Sequence, residues 1–258
     1  MPDSPILKSL EDGILTLTIS RPEALNALNR QVIDALAAAI EAAQDNAEVR
    51  VIVLTGAGEK AFVAGADIKE FADFDQAQGE DLARRGQRNL FDRVEQSCKP
   101  VVAAINGFAL GGGLELAMAA HVRVASTNAR MGLPEVSLGV IPGYGGTQRL
   151  AQIVGKGKAM EMVLTGGMIP ADDALQCGLV NQVVEPELLL ETAQILASKM
   201  AKNAPTALAA ALDSVLAGYN REGFAVEIER FGKCFTTEDF KEGTMAFLEK
   251  RKPNFPGS

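Results

Sequence analysis

The feature that most constrains this chain is a glycine-rich stretch, Gly107 to Met118, which reads GFALGGGLELAM. It follows an apolar run, Val101–Ile105, whose length and β-branched side chains predict a buried strand. Apolar and helix-forming residues follow Gly113, so the sequence predicts a strand, a glycine loop and the beginning of a helix. Such a junction directs free backbone N–H groups toward a ligand, and the helix dipole favours negative charge there.

Glu115 stands in the first turn of this predicted helix, among apolar residues. Burying a carboxylate is costly unless the group has a function. Glycines after a strand also suggest a dinucleotide-binding loop, but G-x-G-x-x-G is absent because position 109 is Ala109. The phosphate-binding pattern G-x-x-x-x-G-K-[ST] is absent as well. The loop therefore predicts stabilisation of a developing oxyanion, as in acyl chemistry.

The rest of the chain alternates strands and helices and then becomes helical. Ile14–Ile19 and Val51–Leu54 are predicted to be strands on either side of a helix capped by Asn29, which indicates a parallel βαβ unit. A second loop of small residues, Ala61–Lys69, follows, and two such loops could each supply one N–H to a shared oxyanion. From Pro186 onward the pattern is helical. The sequence therefore predicts an α/β core with a C-terminal helical part.

Two further segments bear on function. Residues 73–80 are polar and are predicted to be mobile, with a helix from about Leu82 to Gln96. Residues 131–136 are predicted to form a short extended piece. It contains Glu135, a lone acid among apolar and glycine residues, which is the second carboxylate that composition alone does not explain.

Composition narrows the range of partners. The 258 residues carry a net charge of −8, with no Trp and only 5% aromatic residues. Both features argue against nucleic acid or an anionic membrane as a main partner, because these select basic surfaces and, for bases, aromatic stacking. The N-terminal residues include neither a basic region nor a long apolar run, so neither a targeting segment nor a membrane span is predicted.

The cysteine and histidine content bears on compartment and cofactors. Cys98, Cys177 and Cys234 lie far apart and form no C-x-x-C, which predicts a reducing, cytoplasmic location. One histidine, His121, and scattered cysteines cannot build a zinc site. We therefore expect neither a metal nor a redox cofactor.

Together the motifs resemble the crotonase, or enoyl-CoA hydratase/isomerase, superfamily over nearly the whole chain. The strings that carry the resemblance are RPEALNALN, AFVAGADIKEF, INGFALGGGLELAM, LPEVSLGVIPGYGGTQRL and KEGTMAFLEKRKPNF. The resemblance implies a crotonase-like α/β fold, in which βαβ units form a spiral over residues 1–200. Residues 201–258 would form a C-terminal helical region used in trimer assembly, and trimers in this family commonly pair into hexamers.

The resemblance also implies site residues, position by position. Glu115 and Glu135 would be the catalytic acids, the N–H groups of Ala66 and Gly112 would form an oxyanion hole, and Gly143 would help to hold water. The positions that would line the coenzyme A path are Ala24, Ala27, Ala64, Asp67, Ile68, Lys69, Phe231, Phe247 and Lys250. His121 departs from the family, which usually has Asp after the central helix, and we interpret it as structural.

The predicted function is reversible hydration of a short-chain trans-2-enoyl-CoA to 3-hydroxyacyl-CoA. Two N–H donors would stabilise the enolate-like charge, and two carboxyls would hold one water and manage both proton transfers. Alternatives are a double-bond isomerase, which needs one acid/base group, and a non-catalytic acyl-CoA-binding protein. Coenzyme A would be part of the substrate rather than a cofactor. We expect a homo-oligomer, a trimer or a dimer of trimers, with neither nucleic acid nor membrane as partner.

Overall fold

The computed structural model describes residues 4–70, 74–218 and 236–258, and two sheets organise them. The first sheet has the strand order β1-β2-β3-β5-β7-β10 and the second the order β4-β6-β8-β9. The strands are β1 (Ile6–Glu11), β2 (Ile14–Ile19), β3 (Val51–Gly56), β4 (Ala61–Ala64), β5 (Val101–Ile105), β6 (Phe108–Leu110), β7 (Val122–Ser126), β8 (Arg130–Gly132), β9 (Met168–Pro170) and β10 (Gln182–Val184).

Helices pack on both sheets and follow them at the C-terminus. They are α1 (Arg30–Asp45), α2 (Gln76–Gly86), α3 (Asp92–Glu95), α4 (Gly112–Ala119), α5 (Gly146–Val154), α6 (Lys156–Thr165), α7 (Ala171–Gln176), α8 (Leu189–Ala201), α9 (Pro205–Ala217) and α10 (Glu238–Glu249). Short 3₁₀ turns occupy Pro22–Ala24, Ile68–Glu70, Pro134–Leu138 and Pro186–Leu188. Within the described ranges, each helix falls short of the length and apolarity that crossing a membrane requires.

The predicted βαβ unit is confirmed. Strand β2 pairs with β3 in parallel, with Ile14 opposite Val51, and α1 connects them. Asn29 caps α1 as predicted, because its side-chain oxygen accepts a hydrogen bond from the N–H of Val32 at 2.9 Å. The buried face of α1, which includes Leu36, lies against the first sheet in the main core.

The second sheet was missed in the sequence. The predicted loop of residues 61–69 begins with strand β4, and the glycine-rich stretch contains strand β6. Each of these strands follows a strand of the first sheet after a short turn, and β8 follows β7 in the same way. Strands β4, β6 and β8 pair in parallel. Each turn of the chain thus adds one strand to each sheet, which is the predicted spiral.

The predicted start of the second helix, at about Leu82, was wrong, because α2 already begins at Gln76, within the polar stretch 73–80. Asp75 caps α2 and Gln78 reciprocates, so that both members of a capping box are present. A π-helical turn, Gln87–Phe91, joins α2 to α3, so one continuous helical segment runs from residue 76 to residue 95. This segment forms one wall of the cleft described below.

The C-terminal helices divide into a core element and an appended part. Helix α8 buries Leu189, Ala193 and Ala197 against the face of the first sheet opposite the main core. Helices α9 and α10 follow, in agreement with the helical pattern predicted from Pro186 onward, whereas residues 219–235 lie outside the described residues. The division at residue 200 into a spiral core and a trimerisation region remains a prediction.

Candidate active site

One open cleft of about 470 Å³ brings together the five residues predicted to carry the chemistry. Its lining includes Ala66, Gly112, Glu115, Glu135 and Gly143. These residues come from four segments: the end of β4, the beginning of α4, the turn after β8 and the loop before α5. The two-sheet spiral therefore places at one point residues that lie up to 77 positions apart in sequence.

The two predicted oxyanion donors are close neighbours. A Cβ atom added to Gly112 would lie 3.7 Å from the backbone nitrogen of Ala66. Leu28 forms an isolated parallel bridge with Ala66, but its hydrogen bonds use the Gly65 carbonyl and the Asp67 N–H. The Ala66 N–H therefore takes no part in that bridge. The Gly112 N–H belongs to the first turn of α4, where backbone donors have no partner within the helix.

The three consecutive glycines have different physical roles. Gly111 has φ +49°, which a side chain would strain. A Cβ atom on Gly113 would lie 1.9 Å from the Val63 carbonyl oxygen, so this glycine allows α4 to pack directly on β4. A Cβ atom on Gly112 would meet its neighbours only at 3.4 Å or more. Gly113 thus satisfies the packing requirement, while Gly112 faces the cleft.

Glu115 lies in α4, is 1% exposed and is firmly held. Its Oε1 accepts hydrogen bonds from the N–H groups of Tyr144, at 2.8 Å, and Gly146, at 2.7 Å. The pKa of Glu115 is raised to about 7: burial is the largest cause and the neighbouring Glu135 adds to it, while the two N–H groups and Arg149 act in the opposite direction. Glu115 is therefore a carboxyl that can exchange a proton near neutral pH.

Glu135 lies in the 3₁₀ turn Pro134–Leu138, not in an extended piece as predicted. Pro134 at the first position fixes φ and starts the turn, which places Glu135 over the cleft. Its Oε2 atom is buried and, among the residues that the structure describes, is without a hydrogen-bond partner. Burial raises the pKa of Glu135 as well.

Several residues that hold this site were not identified from the sequence. The ring of Tyr144 stacks on Phe91 with centroids 4.7 Å apart. The carbonyl of Gly143 accepts a hydrogen bond from Gln87, and that of Tyr144 accepts one from Arg149. In the sequence, the motif GYGGTQR indicated only Gly143 and the start of a helix. Gln87 and Phe91, which contact this loop, lie some 55 positions earlier in the chain.

The residues predicted for the coenzyme A path divide into three groups. Ala64 and Ile68 line the cleft. Ala24, Ala27 and Asp67 lie together beside it, because Arg21 donates to the Ala27 carbonyl at 2.8 Å and pairs with Asp67 at 3.4 Å. Lys250 is exposed, while Phe231 and the side chains of Lys69 and Phe247 lie outside what the structure describes.

His121 has the geometry of a structural residue. Its Nδ1 accepts from the Val101 N–H at 2.9 Å, so Nε2 carries the proton and donates to the Glu95 carbonyl at 3.0 Å. Burial lowers the pKa of His121, which keeps the ring neutral. Over the described part of the chain, His, Cys, Asp and Glu residues form no group of three that could hold a metal ion.

Comparison with known proteins gives consistent results. The family model described as "Enoyl-CoA hydratase/isomerase" matches residues 9–258. The chain is 46% identical to "Short-chain-enoyl-CoA hydratase" of Clostridium acetobutylicum, over 96% of this chain and 95% of that protein. It is 43% identical to "Crotonyl-CoA hydratase" of Syntrophomonas wolfei, over 97% of each.

Solved structures agree with the fold. An enoyl-CoA hydratase from Bacillus anthracis is 38% identical and superposes with a TM-score of 0.93 over 98% of this chain and 100% of that one. An enoyl-CoA hydratase from Mycobacterium tuberculosis is 36% identical, with a TM-score of 0.90 over 99% and 100% of the two chains. The crotonase-like fold predicted from the sequence is confirmed.

Proposed function

This chain belongs to the enoyl-CoA hydratase/isomerase family and is an enoyl-CoA hydratase, and we propose that it hydrates short-chain trans-2-enoyl-CoA thioesters to 3-hydroxyacyl-CoA. The observation that carries this proposal is the pair of carboxyls in one cleft, one hydrogen-bonded and one with an unpartnered oxygen. Relatives named for short-chain and crotonyl substrates support the chain length.

The backbone donors at the cleft would stabilise charge on the thioester. As water adds to C3, negative charge develops on the thioester oxygen. The N–H groups of Ala66 and Gly112 would bind that oxygen, since the two residues are close neighbours and, over the residues that the structure describes, neither N–H is used by the Leu28–Ala66 bridge or within α4. A fixed donor of this kind contributes about 10²–10³ in rate.

The two carboxyls would divide the proton transfers between them. Glu115, whose carboxylate form is favoured by two N–H bonds to Oε1, would take a proton from the attacking water. Glu135, whose Oε2 is buried and has no hydrogen-bond partner among the described residues, and whose pKa burial raises, would give a proton to C2. The water oxygen bonds to C3 as the C2–C3 π bond breaks. Proton exchange through the open cleft then restores both carboxyls.

The alternatives use fewer of these groups. A double-bond isomerase needs one acid/base and has no need of a second carboxyl that holds water. A non-catalytic acyl-CoA-binding protein needs neither carboxyl. Burying these groups would then lower the stability of the protein without any functional gain. Hydration uses both carboxyls and both N–H groups.

A substrate series tests the proposal directly. Loss of the enoyl-thioester absorbance would be measured with crotonyl-CoA and with longer trans-2-enoyl-CoA esters, and a 3-enoyl-CoA would be tested for isomerisation. We expect the highest kcat/KM with crotonyl-CoA or its near homologues. Faster turnover of the 3-enoyl-CoA would favour the isomerase, and binding without turnover of any ester would favour the binding protein.

Substitution at Gly112 tests the oxyanion hole. Gly112→Pro removes the N–H at the first helical position, where proline is tolerated, and should lower kcat by about 10²–10³. Gly112→Val keeps the N–H but crowds the ligand, and should also lose activity. Gly157→Ala, at a helical glycine with open space around it, is the matched control.

The carbonyl of a bound ligand separates donor loss from backbone distortion. Two donors should lower the C=O stretching frequency of a bound enoyl-CoA in the wild type, and the lowering should shrink in Gly112→Pro. An unchanged frequency in a Gly112→Pro protein that still binds coenzyme A would exclude Gly112 as a donor.

The remaining expectations concern assembly and cofactors. We propose a homo-oligomer in the cytoplasm, a trimer or a dimer of trimers, and light scattering that gives a monomer at micromolar concentration would contradict it. Lys69, Phe231, Phe247 and Lys250 stay proposed contacts of coenzyme A. Dialysis against a chelator should leave hydration unchanged, since the proposed chemistry needs neither a metal nor a redox cofactor.

A further inference from the structure

We propose that Arg149 is a positioning residue for Glu115, because it holds the loop of residues 143–146 whose N–H groups bind the Glu115 carboxylate. The inference rests on the catalytic role proposed for Glu115. Arg149 lies in α5 and belongs to neither of the glycine-rich segments that carry the chemistry. It acts through the loop and does not contact Glu115 in the hydrogen-bond network.

The loop has a carboxylate on one side and a guanidinium on the other. The Tyr144 N–H donates to Glu115 Oε1 at 2.8 Å, and the Tyr144 carbonyl accepts from Arg149 Nη1 at 2.8 Å. The Gly146 N–H, two residues later in the chain, donates to the same Oε1 at 2.7 Å. Rotation of this loop would break both bonds to Glu115, and the bond from Arg149 opposes such rotation.

Arg149 is itself fixed by a dense set of hydrogen bonds. It is 6% exposed, and its Nε and Nη2 donate to the two oxygens of Glu95 at 3.0 and 2.7 Å. Nη2 also donates to Asp92 at 3.0 Å. This is the bidentate geometry that a planar guanidinium makes and a lysine ammonium cannot. The position therefore requires the shape of arginine as well as its charge.

The partners of the loop come from one helical segment. Asp92 and Glu95 lie just after the π-helical turn Gln87–Phe91, and π turns are frequent at functional sites. The same turn presents Gln87, which donates to the Gly143 carbonyl at 2.7 Å, and Phe91, which stacks on Tyr144. The segment thus holds the Gly143 carbonyl and the Tyr144 ring directly and the Tyr144 carbonyl through Arg149, and the loop N–H groups remain directed at Glu115.

Loss of this support would change the acidity of Glu115. Burial favours its protonated form, whereas the two N–H bonds and the nearby positive charge of Arg149 favour the carboxylate. If the loop turns away, the carboxylate loses its donors and stays buried. The proton affinity of Glu115 must then rise, and the base would be blocked at neutral pH.

The test compares Arg149→Lys, which keeps the charge, with Arg149→Met, which removes it. The pKa of Glu115 would be read by ¹³C NMR titration of protein labelled in glutamate, with Glu115→Gln identifying the resonance. We expect the pKa to rise from about 7 by about one unit in both variants. Arg93→Met is the control. Arg93 lies on the helical segment that carries Asp92 and Glu95, but it pairs with Glu41 at the surface, so this change should leave the Glu115 pKa unchanged.

Kinetics supply the second measurement. Displacing a catalytic group by about 1 Å can cost about 10²-fold, so we expect kcat to fall by up to that factor in Arg149→Met while KM changes little. The alkaline shift of the pH profile should follow the NMR value. Gln87→Met, which removes the bond to the Gly143 carbonyl, should act in the same direction with a smaller effect.

The outcomes are distinct. A folded Arg149→Met protein with an unchanged Glu115 pKa overturns the proposal. A shift in Arg149→Met with a wild-type value in Arg149→Lys also overturns it, since charge alone would then suffice. If Arg149→Met fails to fold, the Glu115 pKa measured in Arg149→Lys and in Gln87→Met decides instead. Because the titration reads Glu115 without turnover, failure of the catalytic role proposed for Glu115 would appear separately, as wild-type hydration by Glu115→Gln, and failure of the proposed function as binding without turnover by the wild type.

Discussion

Glu115 and Glu135 line the same cleft, yet the protein surrounds them in opposite ways. Glu115 lies in a helix, almost fully buried, with one oxygen accepting two backbone N–H bonds. Glu135 lies in a single 3₁₀ turn, half-buried, with a buried oxygen that has no hydrogen-bond partner among the described residues. Identical side chains therefore meet environments that differ in depth of burial and in the number of N–H groups that bind the carboxylate.

The contrast shows how one residue type can act as base and acid together. Burial raises the pKa of both carboxyls; the N–H groups of Tyr144 and Gly146 counteract it at Glu115, whereas at Glu135 only the backbone N–H of Glu135 itself does. Because the charge of Glu135 raises the pKa of Glu115, the two carboxyls should titrate as a coupled pair. Adding water across a double bond needs one carboxyl of each kind at the same moment.

The largest expected effect comes from removing either carboxyl by an isosteric amide. Glu115→Gln and Glu135→Gln should each lower kcat by about 10²–10⁴, because each proton transfer loses its group. Both proteins should fold, since an amide oxygen can still accept the Tyr144 and Gly146 bonds at position 115. Hydration of crotonyl-CoA and far-UV circular dichroism would be measured together. Near-wild-type turnover by either variant would remove that residue from the mechanism.

The pH dependence of stability tests the different burial of the two groups. The pKa of folded Glu115 is about 7 against an ordinary 4.5, so the folded state binds the proton more tightly than the unfolded state. Its stabilisation is complete below pH 4.5 and is lost as pH rises through 7, a change of about 3 kcal/mol. Glu115→Gln lacks this dependence.

Urea unfolding of both proteins between pH 5 and pH 8 measures that difference. The unfolding free energy of Glu115→Gln relative to wild type should increase with pH, by up to about 3 kcal/mol. The unfolding free energy of Glu135→Gln relative to wild type should also increase with pH, because burial raises the pKa of Glu135 as well. Parallel curves for Glu115→Gln and wild type would mean that Glu115 is ionised as easily in the folded protein as in water.

The sequence predicts those parts of this site that depend on local chemistry. Asn29 as a helix cap, the strand Val101–Ile105 and the helix that begins after Gly111 follow from short-range patterns, and the structure has all three. The capping box at Asp75 and Gln78 is equally local, and attention to it would have started α2 correctly. Polarity alone was the wrong guide there.

Other parts depend on contacts that no local pattern contains. Strands β6, β8 and β9 have three residues each, too few for any periodicity to identify the second sheet. Arg149 meets Glu95 across 54 positions, and Tyr144 meets Glu115 across 29. The catalytic pair could thus be found by resemblance, while the groups that give its members different environments required the fold.

The smallest expected effect isolates the two backbone donors. Glu115→Ala leaves the Tyr144 and Gly146 N–H groups buried without an acceptor, which costs about 1–3 kcal/mol for an unpaired donor. Glu115→Gln keeps an acceptor, so at pH 5 the alanine variant should be less stable than the glutamine variant by about that amount. At position 135 the same pair should differ by less than about 1 kcal/mol, because the buried Oε2 there satisfies no donor.

Denaturant unfolding of the four variants at pH 5 measures both differences at a pH below the value of about 7 to which the pKa of Glu115 is raised. Comparing alanine with glutamine at each position cancels the loss of charge and leaves the hydrogen bonds and the filled volume. An equal difference at the two positions would mean that volume alone decides. The hydrogen bonds to Glu115 would then make no measurable contribution to stability. The assignment of Glu115 as base and Glu135 as acid would lose its structural basis.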